Sequence, residues 1–367
     1  MNKAEITRPT VMEININNFR YNMEQIRKKL KPETTIMPIM KANAYGTYLN
    51  TKLEILNNYE IVGVAIVDEG VEIRKTGYQK DIFVLNQPDA GEIDKIIKNN
   101  LVIGLSSLSF LKEAQKQNKQ LRVHIEIETG MGRTGIALED IEKFIEEVQK
   151  IKNIKIEGIY THLSSADNDD KYTKEQLAIF QKAVEKITAK IGKVKYIHAA
   201  ASNGIINYPE AHYNLVRVGM IMHGYESGDG IKEKINLKPV CKLKSKITLL
   251  KTVKEGTSIS YGRGYITKRE SKIATIPIGY ADGLRRSLSN KGYVVIRGKK
   301  VPIIGSICMD GFMADATDLK EVTTGDEVWI WDNDKITLEE IAKECGTINY
   351  EIISTISARV PRKFIEN

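Results

Sequence analysis

"IVGVAIVDEGVEIRKTGYQKDIFVLN", residues 61–86, places a helical pattern between two short runs rich in β-branched residues. The runs 61–67 and 81–86 are almost continuously apolar, which is typical of strands buried on both faces of a parallel sheet. The segment between them, 68–77, opens with two acidic residues, which suit the positive end of a helix dipole. The stretch therefore predicts a β-α-β unit.

The same alternation recurs over the first two thirds of the chain. Eight strand candidates occur, at 34–41, 61–67, 81–86, 101–107, 121–128, 154–163, 194–202 and 214–224. The clearest helical patterns between them are 68–77, 89–100, 138–151 and 174–191. Eight strands that alternate with helices predict a closed, TIM-type (β/α)8 barrel. A doubly wound open sheet is the alternative that the pattern alone leaves open.

The pattern changes near residue 237. From there on, short alternating strands are separated by Gly, Asp and Asn turns, with one helical piece at 337–346. We therefore predict an α/β chain with the barrel over 12–236 and a C-terminal mostly-β domain over 237–367. The opening run "TVMEINI" is a spare strand outside the barrel count, and we assign the N-terminal strand, 1–11, to the β-domain.

Composition excludes several classes of function. The net charge of +8 comes from 55 Lys and Arg against 47 Asp and Glu, but acids interleave the bases on helical faces, so we expect no nucleic-acid partner. The three cysteines are far apart and predict neither disulfides nor a metal site. The N-terminus lacks an apolar signal core, and the apolar runs fall short of the ~18 residues of a membrane span. The expected location is the cytoplasm, without a membrane partner.

Polar residues interrupt the apolar strands where the predicted strands end. They are Lys41 after strand 1, Arg133 in the Gly-rich turn after strand 5, His162 after strand 6, Ser202 after strand 7, and Arg217 and Gly219 in strand 8. Each has an ordinary structural explanation, such as a solvated lysine, a core histidine or a helix N-cap. Since the carboxyl ends of barrel strands share one rim, their coincidence favours a site there.

The residue types indicate the chemistry of this site. A lysine at the buried end of a strand is costly as an ammonium ion, but it suits a Schiff base with an aldehyde. The Ser202 hydroxyl and the backbone N–H of Gly219 suit a phosphate. Together they predict pyridoxal 5'-phosphate as the cofactor.

The motifs that carry these residues resemble those of the alanine racemases. "MKANAYG", "ETGMGRTG", "THLSSAD", "AASNG", "VRVGMIMHGY", "SISYGRGY", "IPIGYADG", "ICMDGFM" and "TINYEIISTISARVPR" follow in the family's order and span both domains. The resemblance implies a pyridoxal-binding barrel followed by a β-domain and the interconversion of L- and D-alanine by two bases. It also implies a homodimer whose active sites are shared between subunits.

The resemblance assigns roles to individual positions. Lys41 would carry the pyridoxal group and act as one base, and Tyr261 as the other. Arg217 would face the pyridine nitrogen, and His162 would be a further cofactor-binding residue. A polar chain from His162 to Arg217 would help Tyr261 to act as a base. The remaining implied positions are Tyr45, Ser202, Gly219, Met220 and Tyr350 for the phosphate, Arg133 and Met309 for the substrate carboxylate, and Tyr280 in the lining of the site.

Two departures from the family pattern stand out. Thr47 and Tyr48 replace the His-Gly that usually follows "AYG". Glu126 stands seven residues before Arg133, where many relatives carry a carbamylated lysine. Our hypothesis is that Glu126 supplies that negative charge directly and orients Arg133; a solvent-facing glutamate on an alternating strand is the alternative.

Other functions are compatible with parts of the sequence. A non-catalytic pyridoxal-phosphate carrier would lack the β-domain motifs, and a two-domain pyridoxal decarboxylase would want an acid in place of Arg217. Within racemases, a serine or broader small-amino-acid specificity stays open, because an apolar pocket rejects one added hydroxyl poorly. Whether D-alanine is made as a peptidoglycan precursor or consumed also stays open.

Overall fold

The computed structural model describes residues 7–117, 119–226 and 235–366. The chain divides into two units. The barrel unit comprises Tyr21–Ala44 and Tyr48–Leu237, and the C-terminal unit comprises Met1–Arg20, Tyr45–Thr47 and Lys238–Asn367. The first elements along the chain are strand β1, Val11–Asn15, and helix α1, Ile16–Arg27.

The barrel unit contains the eight predicted strands. They are β2 Thr35–Pro38, β3 Ile61–Val64, β4 Asp81–Val84, β5 Val102–Leu105, β6 Leu121–Glu126, β7 Ile154–Tyr160, β8 Tyr196–His198 and β9 Leu215–Val218. Strands β3 to β8 form a parallel sheet in sequence order, and β2 pairs in parallel with β9. The bridge between Ile39 and Gly63 joins this pair to β3, and the Arg217 N–H donates to the Ala200 carbonyl beside β8 at 3.0 Å. The barrel is confirmed, and the doubly wound alternative was wrong.

Helices follow most of these strands. They are α2 Leu53–Leu56, α3 Val67–Lys75, α4 Ile93–Lys98, α5 Leu108–Ala114, α6 Ile141–Gln149, α7 Asp170–Ile191 and α8 Ser202–Asn207. The N-cap side chains of Ser107 and Asp169 accept backbone N–H bonds at the starts of α5 and α7, as short polar residues do at this position. No helix among the described residues is long and apolar enough to cross a membrane.

An ion network lies toward the amino-terminal ends of the barrel strands. Arg122 in β6 contacts Asp81 and Glu157, each at 2.7 Å, and Lys155 contacts Glu157 at 2.8 Å. The Glu157 side chain is nearly buried. Its hydrogen bonds to Arg122 and Lys155 outweigh burial and lower its pKa to about 2. The network therefore joins β4, β6 and β7 by charge.

The C-terminal unit is mostly β, as predicted. Its strands are β10 Cys241–Lys246, β11 Leu249–Val253, β12 Ser258–Ile259, β13 Tyr265–Ile266, β14 Ser271–Ile276, β15 Tyr293–Ile296, β16 Lys299–Ile304, β17 Phe312–Asp315, β18 Glu327–Trp331 and β19 Arg362–Ile365. Its helices are α9 Leu338–Glu344 and α10 Asn349–Ser354. Nine strands form one sheet in the order β11-β14-β17-β16-β15-β18-β10-β1-β19.

The N-terminal strand sits inside this sheet. Strand β1 runs antiparallel to β10 and parallel to β19. It occupies Val11–Asn15, inside the run "TVMEINI" that we singled out as a strand, whereas the range 1–11 assigned to it ends where the strand begins. Residues 1–6 of that prediction lie outside the described residues.

Candidate active site

Lys41 opens an unusual turn at the end of β2. The segment Lys41–Tyr45 follows the strand directly, and Ala42, Asn43, Ala44 and Tyr45 all have positive φ, between 50° and 56°. Left-handed conformation costs L-residues other than glycine roughly 1–2 kcal/mol each. Strain on this scale persists where surrounding contacts enforce it, and it clusters at functional sites.

The Glu69 carboxylate is one contact that enforces the turn. It accepts the backbone N–H of Ala42 at 2.6 Å and those of Ala65 and Ile66 at 2.8 and 3.3 Å. Glu69 lies in the first turn of α3, where an acid also suits the helix dipole. One carboxylate thus ties the residue after Lys41 to the end of β3.

The environment of Lys41 favours its neutral amine. Burial lowers its pKa, and the nearby charge of Arg133 and, more weakly, Arg217 lowers it further, while Glu69 opposes this. An amine that loses its proton readily can attack an aldehyde or accept a proton.

Arg217 is the third residue of β9, and it is only 1% exposed to solvent. Its Nη1 group donates to His198 Nδ1 at 2.9 Å and contacts the His198 carbonyl at 3.3 Å. Its Nη2 group donates to the carbonyls of Thr161 and Ala199 at 2.8 and 2.9 Å and lies 3.2 Å from His162 Nδ1. Burial lowers its pKa to about 10, so the guanidinium stays charged at neutral pH.

His162 lies next to this guanidinium, as predicted. Because Arg217 can only donate, His162 Nδ1 acts as an acceptor and its proton lies on Nε2. Burial and the charges of Arg217, Arg133 and Lys41 lower the pKa of His162 to about 3. His162 is therefore neutral at physiological pH.

Glu126 is buried at the end of β6, which argues against a solvent-facing glutamate. Its Oε2 atom has no hydrogen-bond partner among the described residues. Burial raises its pKa, against hydrogen bonds from Thr134 and Tyr160 and the charges of Arg133 and Arg217. Arg133 is exposed, and in the described part of the chain no ion pair within 4.0 Å joins it to Glu126. The two residues interact through space and not by direct contact.

The predicted phosphate residues of the barrel unit lie at the starts of two short helical segments. Ser202 is 5% exposed and begins α8. Gly219 precedes the 3-10 helix Met220–His223, and the Met220 side chain is fully buried. N–H groups at such starts lack intrahelical partners, so they suit an anion.

These groups fit pyridoxal phosphate. Three basic residues influence one another electrostatically, namely Lys41, Arg133 and Arg217, and the acids that share this field are Glu69 and Glu126. The excess positive charge matches a phosphate and a substrate carboxylate. In the described parts of the chain, no cluster of three or more His, Cys, Asp or Glu could hold a metal ion.

The C-terminal unit holds the remaining predicted residues. Tyr261, Met309 and Tyr280 are 72%, 52% and 44% exposed. The segment 306–309 connects them, because Ser260 Oγ donates to the Ser306 carbonyl at 2.6 Å and the Tyr280 N–H donates to the Cys308 carbonyl at 3.1 Å. Three large apolar side chains are thus exposed around one loop cluster.

Tyr45 and Tyr350 form a separate pair in the same unit. Their rings lie 5.9 Å apart, edge to face. Burial raises the pKa of Tyr45 far above its ordinary value, with a smaller contribution from Tyr350. The Tyr45 hydroxyl therefore stays protonated and can donate to an anion.

Sequence reasoning missed His124, His198, Tyr160 and Glu69. His198 Nε2 lies 3.0 Å from His124 Nδ1, and the Tyr160 ring stacks on His198 with centroids 5.0 Å apart. The available signal was a histidine within each of two apolar strand patterns, in "LRVHIEIE" and "VKYIHAAAS". Glu69 gave no signal beyond that of an ordinary first-turn acid.

Comparison with known proteins identifies relatives over the full length of the chain. The model of "Alanine racemase, N-terminal domain" matches residues 14–227, and that of "Alanine racemase, C-terminal domain" matches residues 240–364. Alanine racemase 1 of Clostridium acetobutylicum is 41% identical over 98% of this chain and 96% of its own. The alanine racemase of Carboxydothermus hydrogenoformans is 39% identical over 98% of this chain and 100% of its own.

A solved structure agrees with these relatives. That of alanine racemase from Clostridium difficile 630 is 34% identical and superposes with a TM-score of 0.94 over 99% of this chain and 97% of its own.

Proposed function

Because the chain belongs to the alanine racemase family, whose members are pyridoxal-phosphate-dependent isomerases, we propose that it interconverts L-alanine and D-alanine. The observation that carries this proposal is the set of family motifs over both domains, together with a desolvated Lys41 beside Arg217 and Arg133. The domain boundary belongs between residues 236 and 237, which the ranges of the two family models support.

Two side chains move the proton in this scheme. Lys41 Nζ serves one face of the substrate α-carbon and the Tyr261 phenol serves the other, because one base cannot easily reach both faces. Bound pyridoxal phosphate supplies an electron-withdrawing ring that makes the α-proton easier to remove. The lowered pKa of Lys41 supports its role, since it favours the neutral amine, which is the form that accepts a proton.

The other residues bind and orient. We assign the phosphate to Ser202 and the backbone of Gly219 and Met220, with the hydroxyls of Tyr45 and Tyr350. Arg217 faces the pyridine nitrogen without protonating it, because a guanidinium keeps its proton. We assign binding of the substrate carboxylate to Arg133 and the backbone at Met309. Tyr280 lines the site, and the charge of Glu126 positions Arg133.

The active unit in this proposal is a homodimer in which Tyr261 and Met309 serve the partner subunit's barrel. The exposure of Tyr261, Met309 and Tyr280 supports this, because apolar groups clustered at a surface mark interaction sites. We place the enzyme in the cytoplasm, where it supplies D-alanine as a peptidoglycan precursor or consumes it. The absence of disulfides among Cys241, Cys308 and Cys345 suits a reducing compartment.

Chiral chromatography of L-alanine and L-serine, each incubated with the protein and pyridoxal phosphate, tests the proposal. We expect D-alanine to accumulate well ahead of D-serine. Faster accumulation of D-serine than of D-alanine would overturn the substrate assignment. If neither product appears while the lysine-bound cofactor band is present, the chain is a non-catalytic carrier.

A further inference from the structure

Two buried histidines extend inward from Arg217 through the core of the barrel. Arg217 Nη1 lies 2.9 Å from His198 Nδ1, and His198 Nε2 lies 3.0 Å from His124 Nδ1. Both histidines are fully buried. Neither belongs to the binding or proton-transfer set assigned above.

The Arg217 guanidinium determines the donor-to-acceptor direction of the hydrogen-bond chain Arg217–His198–His124. Arg217 has no acceptor atom, so His198 Nδ1 must carry a lone pair and the proton of a neutral His198 must lie on Nε2. That N–H then needs an acceptor, which only a His124 with a lone pair on Nδ1 provides. Each donor therefore fixes the tautomer of the next ring.

The far end of this hydrogen-bond chain is left unpaired within the described ranges. His124 Nε2 is buried and has no hydrogen-bond partner among the described residues. Phe83 stacks on the His124 ring with centroids 4.5 Å apart. A buried polar atom left without a partner costs free energy, and its retention calls for a compensating role. We propose that His124 is a positioning residue, which locks His198 and, through it, Arg217.

The hydrogen bonds that hold Arg217 determine which of its hydrogens stays available for the cofactor. The contacts to His198, Thr161, Ala199 and His162 occupy both terminal nitrogens. None of these contacts uses the Nε hydrogen. If His198 turned or changed tautomer, Arg217 would lose a fixed acceptor, and the hydrogen facing the pyridine nitrogen would no longer be set. This consequence for the cofactor rests on the proposed function, whereas the tautomer chain, the fixed tautomers of His198 and His124, does not.

The direct test is ¹⁵N NMR of the histidine rings in the purified holoenzyme at pH 7, which distinguishes protonated from unprotonated ring nitrogens. We expect His124 and His198 both neutral, each with its proton on Nε2. A proton on Nδ1 of either ring overturns the proposal. Resonances are assigned by single substitutions among the five histidines.

Two variants of His124 separate positioning from packing. In His124→Asn the side-chain oxygen can occupy the place of Nδ1 and accept from His198, whereas His124→Leu removes the acceptor. We expect His124→Leu to lower kcat about tenfold with little change in KM, which corresponds to the loss of one hydrogen bond. The absorbance of the lysine-bound cofactor should also change its pH dependence, and His124→Asn should restore both properties.

A third variant disturbs the ring without removing it. A Cβ at Gly158 would lie 2.7–2.9 Å from His124 ring atoms. Gly158→Ala should therefore move the His198 ring signals and the cofactor spectrum in the direction of His124→Leu. Unchanged spectra and kcat in a folded His124→Leu protein overturn the proposal. If the wild type racemises nothing while the NMR result holds, the proposed function fails and the tautomer chain stands.

Discussion

Replacing Glu69 by alanine removes three backbone hydrogen bonds at once. They hold the N–H groups of Ala42, Ala65 and Ile66. Bonds to a charged group contribute about 1.5–3 kcal/mol each, and less where water can replace the acceptor. Ala42 and Ile66 are both exposed, and the Ile66 bond is the longest of the three, so these two bonds contribute less than the bond to Ala65. Release of strain in the left-handed turn offsets part of the rest. We expect a net loss of about 3 kcal/mol in the free energy of unfolding.

The neighbouring residue provides a matched control. Asp68 lies on the same helix and pairs with Lys95 at 2.7 Å, with both side chains more than half exposed. Such a surface pair contributes at most about 1 kcal/mol. Asp68→Ala therefore changes the same helix turn and removes one carboxylate without touching the turn at Lys41. Glu69→Gln should fall between the two, because its amide keeps one acceptor oxygen.

Urea denaturation of the holoenzyme, followed by far-UV circular dichroism, measures all three variants. The affinity for pyridoxal phosphate is measured beside it, and we expect it to fall with Glu69→Ala and not with Asp68→Ala. If Glu69→Ala and Asp68→Ala lose equal stability, the carboxylate does not hold the turn. If stability falls and cofactor affinity does not, the turn does not position Lys41.

Four further predictions concern single side chains. Lys41→Ala should abolish the absorbance band of the lysine-bound cofactor, and a retained band would move the covalent link elsewhere. Tyr261→Phe should slow racemisation about a hundredfold or more with cofactor binding intact; wild-type rates in both directions would refute the two-base scheme. Glu126→Gln should raise KM or lower turnover, and a change in neither would refute its role toward Arg133. Glu157→Gln should lower the free energy of unfolding at pH 7 by about 3 kcal/mol, since the pKa of Glu157 falls from 4.5 to about 2 on folding. That contribution is present above pH 4.5 and is lost as the pH falls toward 2. A pH-independent difference between the variant and the wild type in urea denaturation would contradict this prediction.

Regular elements were predictable where the sequence carries a period. Continuous apolar runs at 61–67 and 81–86 became buried parallel strands, because β-branched residues between turn signals have few alternatives. Helix α10, which carries Tyr350, was not assigned as a helix. Its six residues are too short for periodicity to distinguish them from a turn.

The positions of candidate site residues could be predicted where they lie at a strand end. Lys41 and Arg217 are polar groups that interrupt apolar runs, and the barrel geometry gathers such positions on one rim. The left-handed turn after Lys41 could not be predicted, because alanine at two of its positions favours a right-handed helix. Tertiary contacts, such as those from Glu69, decide that conformation. The link between His124 and His198 depends on side-chain direction across two strands 74 residues apart.

The barrel has two seams, one where β2 meets β3 and one where β9 meets β8, and side chains help to close both. Strands β2 and β9 pair with each other over four residues, with Met37 opposite Arg217. They join the six-stranded sheet through contacts at Ile39 and Ala200. Side chains supply further attachment, because Arg217 donates to His198 and to the Ala199 carbonyl beside β8, and Glu69 ties Ala42 to the end of β3. Because Lys41 directly precedes Ala42 and Arg217 lies in β9, the contacts that hold these two charged residues also fasten β2 and β9 to the rest of the barrel.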